Sequence, residues 1–163
     1  RTGAAEIMGK HLTAAIPLHD EEVEGAGSAE QARADLIERT MDSLYERSPR
    51  TALAELTDAA GGTAVLHLAD LVSGAVVADV VDRAKRHAVR DLLAAGEDPA
   101  ARGVRAVHLL KAVDGVLADQ ADLLATVSPA EWARTSGWRG PHLTGLTMLT
   151  GSSSGGVARE AGA

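Results

Sequence analysis

Cysteine is absent from this 163-residue chain. That excludes disulfides, thiol nucleophiles and cysteine metal sites. Phenylalanine is also absent, and the aromatic residues are limited to Tyr45, Trp132 and Trp138. The core must therefore be built from Leu, Val, Ile and Ala, which suits thin helical layers better than a large sandwich. No apolar run approaches the roughly 20 residues that span a bilayer. No basic start, apolar run and cleavage site marks a secretion signal. A cytoplasmic location with no membrane partner is the default expectation. Positive charge is scarce: 16 basic residues face 23 acidic ones, for a net charge of −7. A general nucleic-acid binder relies on a basic field, so that class is disfavoured. The first residue is Arg1 and not Met, as expected of a piece cut from a longer protein.

The residues that are present read as mainly α. A first helix is expected over 3–15, stopped by Pro17. An acidic loop, HDEEVEGAGS, follows over 19–28. Ser28 and Gln31 form a capping box for a second helix that runs to Ser48, with Leu36, Ile37, Thr40, Met41, Leu44 and Tyr45 on its buried face. Over 51–70 the period changes to alternation, with DAAGG between two runs, and a β-hairpin is expected there. A third helix ends at Gly96. A fourth covers 105–125, with Val107, Leu110, Val113, Val116, Leu117 and Leu124 turned inward. Ser128 and Pro129 open a short helix, PAEWARTS. HLTGLTML, 142–149, is one strand, and GSSSGGVAREAGA is a flexible tail rich in Gly and Ser. The expected division is 1–127 for the helical unit with its hairpin at about 51–70, 128–150 for an extension and 151–163 for the tail.

The most informative stretch is SGAVVADVVDRAKRHAVRDLL, 73–93. Ser73 can cap a helix by accepting from a first-turn amide. Gly74 lets another group approach the backbone closely. Val76, Val77, Val80, Val81, Ala84, Ala88 and Leu92 form an apolar stripe at spacings of three and four. A small-residue turn opening a helix can seat a base or a phosphate.

This segment resembles the second half of the small helical lid domain of AAA ATPases, where an S-G-A turn opens a lid helix beside the adenine pocket. AAEIMGKHLTAAIPL, 4–18, is similar to the first lid helix, which commonly carries a pattern like I-x-x-x-H-L; Ile7 and His11 are four apart and share a face. VVDRAK together with W-A-R-x-S-G, in PAEWARTSGWRG at 129–140, resembles the actinobacterial proteasomal ATPases of the ARC or Mpa type. The resemblance runs from residue 1 to about 150. It implies a four-helix AAA small (lid) domain with an inserted hairpin. The adenine site would be bordered by Ile7 on the base, His11 near the ribose, and Ser73, Gly74 and Ala75 at the turn.

For the full-length parent the resemblance implies a homohexameric, ATP-driven unfoldase with a coiled coil and an oligonucleotide-binding-type β-barrel region. It would feed Pup-tagged proteins into the 20S proteasome, with ATP or ADP and Mg2+ as cofactors. The phosphate and Mg2+ sites would lie in the missing large domain. No G-x-x-x-x-G-K-[ST] loop occurs here, and GSSSGG at 151–156 lacks the Lys and the following helix. No catalytic residue is therefore assigned, and the piece alone should not hydrolyse ATP. Relatives that dock on the 20S core usually end in a motif like G-Q-Y-L. This sequence ends Arg159-Glu160-Ala161-Gly162-Ala163, without a tyrosine, so that partner is the least supported.

Other chemistry is weaker. The six histidines show no close ligand spacing, and His19 with Asp20, Glu21, Glu22 and Glu24 reads as a solvated acidic loop, so no metal is assigned. Asp82 and Arg86, four apart, read as an exposed helix pair. Ser152 to Ser154 lack a nucleophile elbow. Trp132 and Trp138 read as satellite packing. A basic strip of Arg83, Lys85, Arg86 and Arg90 is the only feature for nucleic acid, and the acidic balance opposes it. The alternative from another class is a non-catalytic helical interaction module or adaptor.

Overall fold

The computed structural model describes residues 1–149. The order of elements is α1 (Thr2–His11), α2 (Asp20–Ala26), α3 (Ala29–Tyr45), β1 (Ala52–Asp58), β2 (Thr63–His67), α4 (Gly74–Ala94), α5 (Ala106–Thr126), α6 (Pro129–Ser136) and β3 (Leu143–Met148). Short 3-10 turns occupy Leu68–Asp70 and Pro99–Ala101. The chain is mostly helical with a small antiparallel sheet, as the sequence predicts. The expected tail at 151–163 lies outside the described residues.

Two apolar clusters hold the molecule together. In the helical one, Met8 of α1 and Leu12 just after it meet Leu36, Met41 and Leu44 of α3, Val77, Val80 and Val81 of α4, and Leu109 and Val113 of α5. All are almost fully buried; burying a side chain of this size contributes about 1.5–3 kcal/mol. The second cluster joins Leu53, Leu56 and Leu66 of the hairpin to Leu124 of α5, Trp132 of α6 and Leu143 of β3. Half-buried Leu117 on α5 touches both.

The hairpin forms where alternation predicts it. Its loop is built around Asp58, whose Oδ1 accepts from the amides of Ala60 and Gly62, each at 2.8 Å. Gly61 takes the left-handed conformation, φ 84°. This side-chain turn closes the hairpin. β3 then adds to the other side of β1, giving the order β2-β1-β3. Leu56 sits opposite Ala64 on β2 and Leu146 on β3. The alternation of 142–149 predicts a strand; the partner is supplied by the fold.

Several expectations are corrected. The acidic stretch after Pro17 is not a loop, because α2 forms there. His19 caps it, its Nδ1 accepting from the Glu21 amide at 3.2 Å, and Gly27 ends it in the left-handed conformation. Asp20, Glu21 and Glu22 in the first turn favour the positive end of the helix dipole. These acids and Gly27 are the readable start and stop of a helix. α1 ends at His11, four residues early, because the chain turns away to pair with a distant loop: Val104 N–H donates to the Pro17 carbonyl at 2.9 Å, and His19 N–H to the Val104 carbonyl at 3.0 Å. α3 starts at its cap, with Ser28 Oγ accepting from the Gln31 amide at 3.1 Å. The Gln31 side chain donates instead to Asp35 at 2.7 Å, so only half of the expected capping box exists.

On α5 the expected inward residues Val113, Val116 and Leu124 are buried and Leu117 is half-buried, but the first turn differs. Val107 is 55 % and Leu110 39 % exposed, while His108, Leu109 and Ala112 are buried. The cause is His108. Its Nδ1 accepts from the Arg105 amide at 3.1 Å and its Nε2 bonds Asp91 of α4 at 3.0 Å. This histidine caps α5 and ties its first turn to α4, which puts His108 and Leu109 inside in place of Val107 and Leu110.

Candidate functional site

The sequence-predicted residues come from two elements 66 residues apart in the chain, counting from Ile7 to Ser73. α1 presents Ile7 next to Met8, whose side chain is fully buried. α4 begins where Ser73, in extended conformation, accepts from the Val76 amide through Oγ at 3.3 Å. α1 packs on α4, and Ile7 meets the first residue of that helix. A Cβ placed on Gly74 would stand 3.2 Å from Ile7 Cδ1. Glycine is thus what lets the isoleucine methyl lie against the backbone at the turn.

Ala75 is exposed and Gly74 half-buried. Both belong to the first turn of α4, whose amides have no intrahelical acceptor and carry the positive end of the dipole. His11 is exposed at the end of α1. It lies within electrostatic reach of Asp82, about two turns along α4 from Gly74. The Asp82 carboxyl is held below its ordinary range, first by the Lys85 ammonium, which donates to it at 2.9 Å, and further by the charges of His11 and Arg86. The structure therefore brings Ile7 against Gly74, with Ser73 and Ala75 beside them, and sets His11 toward the charged side of α4.

The basic strip on α4 is largely neutralised. Arg83 donates to Asp79 at 2.8 Å and to Asp119 of α5 at 2.5 Å. Asp82 pairs with Lys85, three residues on, and not with the expected Arg86, which lies 3.8 Å from Asp79. A spacing of three places Lys85 on the same face as Asp82, as a spacing of four would Arg86.

Two residues that organise the region were not singled out by the sequence. His108 is one. Gly103 is the other: at φ 111° it lets the loop after α4 press on Leu18, and a Cβ there would fall 2.4 Å from the Leu18 carbonyl carbon. Nothing in the surrounding GEDPAARG distinguishes this glycine from an ordinary loop glycine. Among the described residues, no group of three or more His, Asp or Glu side chains gathers closely enough to hold a metal ion, and no helix is long and apolar enough to cross a membrane.

A helical layer that carries a small antiparallel three-stranded sheet is the architecture of a helical lid with a hairpin insert. The family model described as ARC, AAA+ ATPase lid domain matches residues 1–162, and the chain belongs to that family. It is 70 % identical over 149 residues to a protein of Micrococcus luteus named AAA ATPase forming ring-shaped complexes, covering 91 % of this chain and 26 % of that protein. A protein of Kocuria rhizophila with the same name is 37 % identical over 150 residues, covering 92 % of this chain and 26 % of the relative. A Proteasome-associated ATPase of Saccharomonospora viridis is 35 % identical over 151 residues, covering 91 % and 24 %. The chain spans about a quarter of the length of these curated relatives.

Proposed function

We propose that this chain is the lid portion of a homohexameric ring ATPase of the cytoplasm, and that Ile7, Ser73, Gly74 and Ala75 form the lid's edge of the adenine site, with His11 toward the ribose. The observation that carries the reading is the approach of Ile7 Cδ1 to the Gly74 backbone, in a chain of the ARC lid family. A methyl-bearing side chain beside a backbone stripped of Cβ offers a flat, apolar support for a planar ring, next to first-turn amides that favour electron-rich acceptor atoms.

The residues present fit the base end of an adenine nucleotide. Among the described residues no ligand set for Mg2+ gathers, and the sequence holds no phosphate loop, so we assign those contacts to a large domain outside this chain. Bound ATP would supply the phosphoanhydride whose hydrolysis drives the ring. The lid's own part is to grip the base, to keep water from the Ile7–Gly74 face, and to turn as a rigid body with respect to the large domain. Buried Val77, Val80 and Val81 tie the turn to the whole helical layer, so motion at the base is carried through α4 to the lid's outer surfaces. Unfolding of Pup-tagged proteins and their delivery to a 20S core are the activities we assign to the full-length parent, supported by the names of its proteasome-associated relatives.

The test is made on the full-length parent protein. Gly74→Leu should weaken binding of a fluorescent adenine nucleotide about tenfold or more, slow ATP hydrolysis and slow unfolding of a Pup-tagged substrate, while the melting temperature moves little. Unchanged nucleotide affinity in Gly74→Leu, or a coding region upstream without a phosphate loop, would remove the proposal and favour a non-catalytic interaction module.

A further inference from the structure

Of the six histidines, only His19 and His108 are buried, at 6 % and 3 % exposed. Each stands at the start of a helix and accepts from a backbone amide through Nδ1. His19 takes the Glu21 amide at 3.2 Å, at the start of α2. His108 takes the Arg105 amide at 3.1 Å, at the start of α5. These two helix starts are fastened to each other. Glu22 Oε1 accepts from the Ala106 amide at 2.8 Å, and the Arg105 side chain donates to Glu21. Beside them Leu18 pairs with Val104, and the His19 N–H donates to the Val104 carbonyl at 3.0 Å. One junction therefore depends on two buried imidazoles used in the same way.

An imidazole nitrogen accepts a hydrogen bond only while it carries no proton. His108 Nε2 faces the Asp91 carboxylate at 3.0 Å, so the neutral ring with its hydrogen on Nε2 satisfies both neighbours. In each ring a second proton goes to Nδ1 and sets a donor against the amide donor. That amide is then left without an acceptor, which costs more than an ordinary lost bond. Charged His19 gains a different partner, the Glu21 carboxylate 3.8 Å from Nδ1. The same Oε2 is the atom that Arg105 holds, so charging His19 draws Glu21 away from α5. At His108 the second proton strengthens the bond to Asp91. The ring stays on α4 while the start of α5 is pushed off it. The charges around the two rings oppose one another. Asp91 on one side, and Asp20, Glu21 and Glu22 on the other, draw protons toward them; His87 and Arg90 of α4, Lys111 and Arg105 at α5, and Arg33 of α3, which reaches the Ile16 carbonyl, resist.

We propose that His19 and His108 form an acid-sensitive clasp, which holds α2 and the segment 102–105 against α4 and α5 while both rings are neutral and opens when both take up a second proton. The open form binds those protons without displacing an amide, so acid favours it by linkage. The closed form prevails above the ordinary imidazole value of about 6.5 and yields as pH falls below it. The segments it frees are defined by their contacts. Pro17 and Val104, joined by a 2.9 Å bond from the Val104 N–H, line a cavity of about 300 Å³ together with Ile16, Ala88 and Leu92. Opening the clasp uncovers this side of α4. A local charge change is thereby read out as a change in the packing of one face. The clasp is independent of the nucleotide reading, since none of its residues belongs to the α1–α4 turn.

The experiment is amide exchange of the full-length parent protein without nucleotide, at about pH 7.5 and about pH 5.5, on either side of the imidazole value, with the intrinsic rate at each pH divided out. Peptides over 18–26 and 103–110 should lose protection about tenfold or more at the lower pH, while those over 77–84 keep theirs. His19→Asn and His108→Asn each supply an oxygen that accepts from the same amide and takes up no proton. The protein carrying both should stay protected over the two segments at either pH, whereas His19→Ala with His108→Ala should leave them unprotected already at the higher one. The proposal is overturned if the parent protein shows no loss confined to these segments, or if the asparagine protein loses protection as the parent does. Equal loss over 77–84 also overturns it, because the response is then general acid unfolding. The measurement on the parent protein decides by itself if the substituted proteins do not fold.

Discussion

Gly103 shows how a single residue can hold two distant segments together. Its φ of 111° and its approach to Leu18 leave no room for a side chain. Gly103→Ala should therefore cost about 2–4 kcal/mol, through both strain and the loss of the Val104 pairing, measured as a drop in the urea midpoint at constant slope. Asp91 offers a pH-dependent counterpart. Its carboxyl titrates below the ordinary value, first because His108 bonds it and further through the charges of His108, Lys111 and His87, against a burial penalty. A lowered folded-state value means that the native chain binds this proton less readily than the unfolded one. The stabilisation is then fully present above the unfolded value, about 3.9, and is lost as pH falls through the folded one. Asp91→Asn should therefore be most costly near neutrality, and its difference from the parent chain should shrink below about pH 4, as read from denaturant curves at stepped pH. Neither Gly103 nor His108 carries a signal in the sequence, because each matters through a contact with a residue far away in the chain.

Among the elements, α5 is the one whose outer and inner faces were hardest to assign. Its middle and end bury Val113, Val116 and Leu124 as their spacing predicts, whereas in the first turn His108 bonds across to α4 and Leu109, not Leu110, goes inside. Leu109→Ala should cost about 2–5 kcal/mol, since it opens a cavity in the helical cluster, whereas Leu110→Ala, one residue along, should change stability by less than about 1 kcal/mol. Thermal unfolding of the two variants checks the rotation directly. α6 is the opposite case. Ser128 and Pro129 announce its start, and Ser128 Oγ accepts from the Glu131 amide at 3.2 Å. Ser128→Ala should remove about 1 kcal/mol. The acidic composition of 19–28 hides α2, but the place of Asp20, Glu21 and Glu22 in its first turn and of Gly27 at its end marks it.

At the scale of the molecule, the two clusters predict unequal responses to truncation. Removing residues 141–163 takes away β3, exposes Leu53 and Leu56, and turns β1 into an edge. Amide exchange should then quicken over Ala52–Asp58 while the buried turns of α4 and α5 stay protected, because the helical cluster holds its own set of contacts. Uniform loss of protection would mean a single cooperative unit instead.

The sequence by itself settled the helical class, the hairpin with its glycine turn, and the capped starts of α3, α4 and α6. All of these follow from local periodicity and from side chains acting on their own backbone within a few positions. Tertiary structure alone decided that Ile7 lies on Gly74, that β3 joins β1, and that the first turn of α5 buries Leu109 and not Leu110. Each depends on where two surfaces meet after the chain has folded back, and local propensity carries no information about that distance.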